Sequence, residues 1–254
     1  MQHEYYKEYY ELERSHWWFM ARERILTNYI KQLISTGKLK ENPTILNVGC
    51  GPGRSSEYLS AFGHVTSIEY DKFCCEFASE RTGLEILHGS ITELPFENES
   101  FDLVCAFDVI EHVEDDMLAV SELKRVAVNR GILLITVPAF MGLWSHHDVI
   151  NHHFRRYKMD RVDRLFKPGQ NGTSLYYTYF NSFLFPPVYF FRKLSNMLGS
   201  GKKRKGSGSD FEAFNPGMVN SILFRLMGSE SRFINRGTKF PFGVSILYCW
   251  EKGH

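Results

Sequence analysis

The sequence lacks the features that mark several classes of protein. No apolar run reaches the length of about 20 residues that crosses a bilayer, and the chain does not open with a basic, then apolar, leader. Its five cysteines are scattered and include no CxxC pair. The 30 basic and 29 acidic side chains leave a net charge of +1, which provides no general attraction for a nucleic acid. We therefore expect a reduced, cytoplasmic protein with no transmembrane segment and no nucleic-acid partner.

Strand-like and helix-like segments alternate five times between residues 43 and 140. Short apolar strand candidates begin at residues 43, 64, 84, 101 and 131, and each of the first four is followed by a short link or a helix-like segment. Two further candidates, "SLYYTYFN" at 174–181 and "GVSILYCW" at 243–250, follow later. Such alternation is typical of a parallel sheet covered on both faces. The sequence predicts an α/β fold with a doubly wound, mostly parallel sheet of seven strands.

The first strand candidate runs into a glycine-rich loop, "ILNVGCGPGR" at 45–54, with Gly49, Gly51 and Gly53 at alternate positions. A dinucleotide fingerprint would need glycine where Arg54 stands, and a P-loop would need a G-K-[ST] ending. Glycine still lets backbone approach a ligand closely. Glu69 ends the second strand candidate, where an acidic side chain binds ribose hydroxyls. Together they predict a ligand with a ribose and without a pyrophosphate.

Four segments carry a resemblance to a known family. The glycine loop, Glu69, "LPFENESFDLVCAFDVIEHVEDD" and "GILLITVPA" resemble, in the same order, the class I S-adenosylmethionine-dependent methyltransferases. The resemblance covers about residues 43–140. It implies a Rossmann-like methyltransferase fold that binds S-adenosyl-L-methionine and releases S-adenosyl-L-homocysteine. The opening loop would hold the methionine and ribose of that cofactor.

The flanking segments narrow the resemblance. "HWWFMARERIL", "LWSHHDVINHHFRRY", "YFNSFLFPPVYFFRKL" and "FPFGVSILYCW" are similar to segments of type 11 and type 23 methyltransferases found near bacterial glycan and secondary-metabolite genes. We accordingly expect one methyltransferase domain over residues 1–254. Its parts are a helical cover at 1–40, a cofactor-binding core at 43–140, an acceptor-side loop and helical cap at 141–236, and a final strand at 240–252.

The resemblance also assigns cofactor contacts. By family position Glu69 binds the ribose, and Ser90 with Ile91 borders the adenine, although many relatives carry Asp where this chain has Ser90. In relatives the N-terminal helix closes over the cofactor. The predicted cofactor-binding set is Asn47, Gly49, Cys50, Gly51, Gly53, Glu69, Tyr70, Ser90, Ile91, Asp108, Trp18 and Arg22.

Methyl transfer to a hydroxyl is helped by a base within hydrogen-bond reach of the proton. Two groups offer candidates: Asp108-Val-Ile-Glu111-His112 after the fourth strand, and a histidine-rich segment whose pattern is W-S-x-H-D, then H-x-R-R-Y. A neutral imidazole oriented by a carboxylate is a suitable base, and Arg155 with Arg156 could grip an acidic acceptor. The alternative is a hydrogen-bonded structural loop. The predicted catalytic set is His147, His112, Asp148, Glu111 and His153.

A divalent metal is a further alternative. Asp108, Glu111, His112 and a later histidine would supply two oxygen and two nitrogen ligands. The arrangement resembles the E-x-x-E-H segment of small-RNA 2'-O-methyltransferases and ubiquinone-type O-methyltransferases, with Asp in place of the first Glu. The sequence alone does not decide whether these residues bind a metal.

The leading hypothesis is O-methylation of a hydroxyl on a small molecule: a natural product, a quinone-like ring or a sugar. Three alternatives remain: an N-methyltransferase on an amine or modified peptide, an RNA 2'-O-methyltransferase, and a silent protein that binds the cofactor within a complex.

Residues 182–236 are too apolar to be left in water, and Pro186 and Pro187 break them. We expect a helical cap over the strand ends whose apolar face binds a hydrophobic acceptor, with 199–209 as its hinge. A homodimer interface of the same composition is the alternative. The basic stretch "GKKRKGSGS" is either a peripheral contact with anionic lipid or a solvated loop.

Overall fold

The computed structural model describes residues 3–167, 169, 171–197 and 217–253. Its helices are α1 His3–Ser15, α2 Trp17–Ser35, α3 Arg54–Leu59, α4 Lys72–Thr82, α5 Asp116–Val126, α6 His146–Ile150, α7 Met159–Phe166, α8 Phe185–Met197 and α9 Gly217–Ile234. Its strands are β1 Thr44–Val48, β2 His64–Glu69, β3 Ile86–His88, β4 Phe101–Phe107, β5 Ala127–Pro138, β6 Gly172–Phe180 and β7 Ser245–Lys252.

The strands form one seven-stranded sheet in the order β3-β2-β1-β4-β5-β7-β6. β7 runs antiparallel to both β5 and β6, and the other neighbouring pairs are parallel. The α/β class and the mostly parallel seven-stranded sheet are thus confirmed. The order reverses between β1 and β4, so the loops after these two strands meet at one edge, where ligands bind in open α/β sheets.

Helices cover both faces of the sheet. Along β4, Leu103 and Cys105 pack into one apolar cluster with α2 and α9, while Val104 and Ala106 pack into a second cluster with α5 and α7. This alternation follows from the two-residue period of a strand. Because both faces are buried, β4 is apolar at nearly every position.

The N-terminal helical cover is divided into two helices, α1 and α2. It breaks at His16, which is extended (φ −81°, ψ 134°) and whose ring accepts a hydrogen bond from the Trp18 backbone N–H at 3.3 Å. The break turns α1 across α4, where Tyr6 and Tyr10 contact Phe73 and Phe77. The sequence pattern missed it because no glycine or proline marks the cap.

The segment inserted before β7 is helical, as predicted, but its two helices lie in different places. Pro186 and Pro187 occupy the first turn of α8, where a missing N–H costs little, so they begin this helix instead of interrupting one. α9 packs along α2, while α8 borders the strand-end cavity described below. The predicted hinge at 199–209 lies outside the described residues. None of the helices in the described part of the chain has the length and apolarity to cross a membrane.

Candidate functional site

The glycine loop after β1 is shaped by three left-handed residues. Gly49, Gly51 and Gly53 have φ values of +66°, +53° and +99°. A Cβ at Gly49 would lie 2.6 Å from a Val109 methyl, and one at Gly53 would lie 2.8 Å from the methyl of Thr82. A Cβ at Gly51 would meet nothing within 4 Å. Gly49 and Gly53 are therefore needed for packing, while Gly51 borders open space that a ligand can use.

The carboxylate of Glu69 is fixed against this loop by backbone donors. Its Oε2 accepts from the Gly51 N–H at 2.9 Å, and its Oε1 accepts from the N–H groups of Tyr70 at 2.8 Å and Asp71 at 3.2 Å. A carboxylate oxygen accepts about two hydrogen bonds, so Oε2 keeps a free position. An oriented carboxylate beside open space at Gly51 fits the ribose hydroxyls of S-adenosylmethionine.

Two other predicted cofactor residues lie behind the loop. The Asn47 amide is buried and donates to Ser55 Oγ at 2.8 Å and Ser56 Oγ at 3.0 Å, which ties β1 to α3. The Cys50 thiol is buried, and this burial, with Glu69 nearby, raises its pKa well above the usual range. Cys50 therefore packs as a neutral thiol.

The predicted adenine end lies one strand further along the sheet. Ser90 Oγ shares a hydrogen bond with Thr92 Oγ1 at 2.8 Å, and Ile91 is buried. The side chain of Tyr70 is exposed. Ser90 Oγ also accepts the Thr92 backbone N–H at 3.2 Å, so this side chain holds its own turn.

Asp108 connects the strand edge to the N-terminal helices. It follows β4 directly, at φ +57°, and its backbone N–H donates to the Thr136 carbonyl at 2.9 Å. Its carboxylate forms a close ion pair with Arg22 of α2. The Arg22 guanidinium lies 4.7 Å from the centre of the Trp18 ring. Sequence reasoning placed these three residues at the cofactor, and the structure brings them together at the edge of the sheet.

Asp108 and Trp18 also line a cavity of about 160 Å³. The ends of β4 and β5 meet α2, α6 and α8 around it. Its lining residues are Tyr9, His16, Trp17, Trp18, Asp108, Glu111, His112, Pro138, His147, Asn151, His153, Arg156, Asn181, Val188, Phe191, Arg192, Val244 and Ser245. No glycine-loop residue belongs to this lining, so we describe the site as two compartments, the glycine loop and the cavity. They are linked at Asp108, which lines the cavity, pairs with Arg22 beside Trp18, and is followed by Val109, whose methyl groups lie against Gly49.

A buried carboxylate organises one wall of the cavity. Asp148 is fully buried on α6 and accepts hydrogen bonds from the Ser145 N–H at 2.8 Å, His153 Nδ1 at 2.9 Å and Arg156 Nε at 2.7 Å. Burial opposes its charge, but the donors His153 and Arg156 hold the pKa of Asp148 well below its usual range. Since His153 donates from Nδ1, its Nε2 carries the lone pair that a general base requires.

The structure shows which histidine Asp148 orients, a choice that the sequence leaves open among His147, His112 and His153. His147 precedes Asp148 directly, and consecutive helical residues do not face each other. The turn after α6 returns the chain, so that the His153 backbone N–H donates to the Asp148 carbonyl at 2.9 Å. The Nδ1 atom of His147 lies 3.3 Å from the side-chain amide nitrogen of Asn151. Of the three candidates, His153 is the one hydrogen-bonded to the Asp148 carboxylate.

The prediction that Arg155 and Arg156 grip an acidic acceptor needs correction as well. Arg156 donates hydrogen bonds to Asp148 and to the Ala139 carbonyl, and Arg155 forms an ion pair with Asp116, in which Nη1 lies 2.9 Å from Oδ2. Sequence reasoning missed Arg192, which is buried against the cavity and donates to the Leu143 carbonyl at 2.8 Å. A lone arginine in the apolar run of α8 is the signal that could have identified it.

Glu111, His112 and His153 converge on one point. One potential ligand atom from each lies within 4.8 Å of the other two, and the two imidazole rings meet edge to face at 4.5 Å. Glu111 is fully buried, and neither carboxylate oxygen has a hydrogen-bond partner among the described residues. Burial, then Asp108, raises the pKa of Glu111 well above its usual range. Desolvation by the neighbouring groups, with His153 adjacent, lowers the pKa of His112, although this side chain is exposed.

A buried carboxyl such as Glu111, with no hydrogen-bond donor in the described part of the chain, either stays protonated or binds a cation. One carboxylate and two neutral imidazoles form a donor set that suits a divalent transition metal. Three members of this group belong to the predicted four-ligand set, in which the later histidine is His153, while the fourth member, Asp108, is paired with Arg22.

Comparisons with known proteins match the part of the chain that contains the glycine loop and Asp108. A family described as a methyltransferase domain matches residues 46–135. A protein of Mycolicibacterium smegmatis assigned as an S-adenosylmethionine-dependent methyltransferase is 33% identical over 96 residues, which are 37% of each chain. A demethylmenaquinone methyltransferase of Staphylococcus aureus is 27% identical over 129 residues, 45% of this chain and 54% of that one. The chain spans about half or less of these relatives.

Solved structures share the fold at low identity. A Bacillus halodurans protein assigned as a methyltransferase superposes with a TM-score of 0.58 at 17% identity, covering 88% of this chain and 98% of that one. The [4+2]-cyclase SpnF superposes with a TM-score of 0.55 at 15% identity, covering 89% and 80%. These likenesses concern the fold alone, since the second protein carries a different activity in its name.

Proposed function

We infer the function of this chain from one premise: its residues 46–135 belong to the methyltransferase-domain family. We propose that the chain is an S-adenosylmethionine-dependent methyltransferase acting on a small molecule. One observation carries the proposal. The open space at Gly51, beside the oriented carboxylate of Glu69, lies at the same edge of the sheet as a cavity that holds a carboxylate-oriented imidazole.

The glycine loop, Glu69, Ser90 and Ile91 would hold the cofactor, which supplies a methyl group already activated on a sulfonium. What remains for the protein is alignment of the acceptor, which can supply much of the rate enhancement. The two compartments meet at Asp108 and Trp18, so we place the reacting atoms there. The Arg22–Asp108 ion pair would keep α2 closed over this meeting point.

We propose that the acceptor atom is a hydroxyl oxygen. His153 Nε2 would take its proton, and the buried Asp148 would orient the ring through Nδ1 and stabilise the imidazolium that forms. The walls contributed by Trp17, Trp18 and Phe191 suit a flat, apolar ring. A quinone-like acceptor agrees with the name of the Staphylococcus aureus relative.

Methylation of an amine is the rival proposal. A neutral amine brings its own lone pair, so the loss of a base would change turnover little, whereas a hydroxyl needs its proton removed. His153→Ala separates the two, because a large loss of turnover with unchanged cofactor affinity supports the hydroxyl.

Calorimetry tests the cofactor proposal. S-adenosylmethionine and S-adenosylhomocysteine should bind with micromolar affinity, and a nicotinamide dinucleotide should not. Glu69→Ala should weaken binding by about 1–3 kcal/mol, the scale of a lost hydrogen bond to a charged group. Methyl transfer is then sought with hydroxylated aromatic rings, quinols and sugars. Binding of neither ligand, or normal affinity in Glu69→Ala, would overturn the assignment.

A divalent metal at Glu111, His112 and His153 is a second proposal for the same cavity. The observation that favours it is the buried Glu111 carboxylate with no hydrogen-bond donor among the described residues. A bound cation would polarise an acceptor oxygen and lower the pKa of its proton. Titration of the protein with Mg²⁺, Mn²⁺ and Zn²⁺ should show one site, which Glu111→Gln removes. No heat of binding in the wild type would refute it.

A further inference from the structure

One face of α8 exposes apolar side chains to the outside of the molecule. Pro187, Phe190, Phe191 and Leu194 are spaced by three, four and seven residues, which places them on one side of a helix. Phe190 is 69% exposed and Leu194 is 56% exposed. Aromatic and aliphatic side chains in such a row are normally buried.

A second exposed apolar row follows α9. Val219, Ile222, Leu226 and Phe233 lie on the side of this helix that faces away from α2, while Met227 and Ile234 on the opposite side are buried. The rings of Phe233 and Phe183 meet edge to face at 6.0 Å, which connects α9 to the chain entering α8. We call the exposed residues of both rows the apolar face.

Exposed cations flank the apolar face among the described residues. Between residues 183 and 240 the chain carries ten Lys and Arg residues and three Asp and Glu residues, although the whole chain has a net charge of only +1. The exposed Arg225 and Arg232 of α9, with Arg236 just after the helix, form a row beside the apolar one. The described carboxylate in this range is Glu230, which is fully buried.

We propose that the apolar face docks on an anionic lipid surface. A helix in the interfacial plane of a bilayer buries an apolar row and places cations at its border, next to the headgroups. Each Lys or Arg near an anionic membrane adds to the attraction. The proposal concerns the outer surface of α8 and α9 and does not depend on methyl transfer.

The charge pattern disfavours a second copy of the chain as the occupant. Two copies that meet through the same patch form an isologous interface, so the apolar face and its cations would meet an identical face with the same cations. Such an interface would gather the arginine rows of both copies, and the described carboxylate of this range, Glu230, is buried and cannot offset them. An anionic surface instead neutralises it.

The position of α8 connects this surface with the cavity. Phe191 belongs to the apolar face and also lines the cavity, together with Val188 and Arg192 of the same helix. A protein docked through α8 therefore holds the cavity close to the lipid. If the proposed function is right, this arrangement suits an acceptor that carries a lipid tail.

Vesicle sedimentation with the full chain tests the proposal. One set of vesicles contains equal parts of phosphatidylglycerol and phosphatidylcholine, and the other contains phosphatidylcholine alone. The protein should sediment with the anionic vesicles, and binding should fall as salt rises, because surface charges are screened. Phe190→Ser with Leu194→Ser, and separately Arg225→Glu with Arg232→Glu, should each weaken binding by at least about tenfold.

The matched controls are Met117→Ser and Lys158→Glu, exposed changes next to α5 and α7 on the opposite face of the sheet. They should bind as the wild type does, and all variants should retain its melting temperature. Equal binding to both vesicle types, or no effect of the arginine changes, would overturn the proposal. So would a wild-type dimer that ignores vesicles and becomes monomeric in Phe190→Ser with Leu194→Ser.

Discussion

At the glycine-loop end of the site, the groups that face a ligand belong to the backbone, whereas the cavity beyond Asp108 is lined by side chains. Three left-handed glycines set the shape of the loop, and Glu69 is itself held by backbone N–H groups. In the cavity, Asp148 gathers His153 and Arg156 through side-chain hydrogen bonds.

This difference determines how each compartment responds to an amino-acid substitution. A backbone shape depends on φ angles that only glycine adopts cheaply, so a side chain there removes the shape altogether. In the proposed function a side-chain network transfers the proton, so a substitution there should alter a rate and leave cofactor binding intact.

The largest effect is expected at His153. Replacing His153 by Ala removes the imidazole that Asp148 orients, so turnover on a hydroxyl acceptor should fall by about 10²–10⁴. Affinity for S-adenosylhomocysteine, measured by calorimetry, should stay within about twofold because no backbone of the glycine loop changes.

His147→Ala is the matched control for this change. It removes a ring that lines the same cavity but that faces Asn151 instead of Asp148. A larger loss of turnover in His147→Ala than in His153→Ala would show that the base is His147, as the sequence pattern first indicates.

Gly51→Val should abolish cofactor binding, weakening it by at least about a hundredfold. The new side chain fills the open space beside Glu69 and cannot adopt φ +53° without strain. Gly37→Val is the control for strain alone, since Gly37 has φ +69° and open surroundings in the turn after α2. Equal cofactor affinity in the two variants would contradict the two-compartment description.

The two compartments also differ in how far they follow from sequence. The loop, Glu69 and Asp108 are predictable because each is fixed by the end of its own strand, and strand periodicity is visible in a short window. The pairing of Asp148 with His153 depends on a turn that reverses the chain after α6. The ion pair between Arg22 and Asp108 joins residues far apart in sequence, although both had been assigned to the cofactor.

The helical cap is also predictable from the sequence only in part. Its apolar composition predicts burial or contact, but not that α9 packs along α2 while α8 borders the cavity. The break at His16 is also a matter of local hydrogen bonding, since a histidine nitrogen accepts the Trp18 N–H where a serine or aspartate usually does.

Glu13 places a titratable group behind the backbone-built compartment. Burial raises its pKa to about 7, against the opposing effect of Arg22. The folded protein therefore holds more protons than the unfolded chain between about pH 4.5 and 7, so the free energy of unfolding falls as pH rises through this window. The free energy of unfolding should fall by about 2–3 kcal/mol across this window in the wild type, and this fall should be absent in Glu13→Gln.

Urea unfolding of both proteins at pH 5 and pH 8 measures this difference. The free energy of unfolding of Glu13→Gln, relative to that of the wild type, should be higher at pH 8 than at pH 5. An identical pH dependence would mean that Glu13 keeps its ordinary pKa, and that α1 leaves it open to water.

The smallest effect is expected for Glu69→Gln. An amide can accept the Gly51 N–H with its oxygen, but it then turns an NH₂ group toward the N–H groups of Tyr70 and Asp71. Either orientation leaves at least one of these backbone donors unpaired at a half-exposed position, so cofactor affinity should fall about tenfold, or about 1.4 kcal/mol. Glu93→Gln, an exposed change nearby, should have no effect. If Glu69→Gln binds as tightly as the wild type while Glu69→Ala does not, Glu69 acts by occupying space and not by fixing backbone donors.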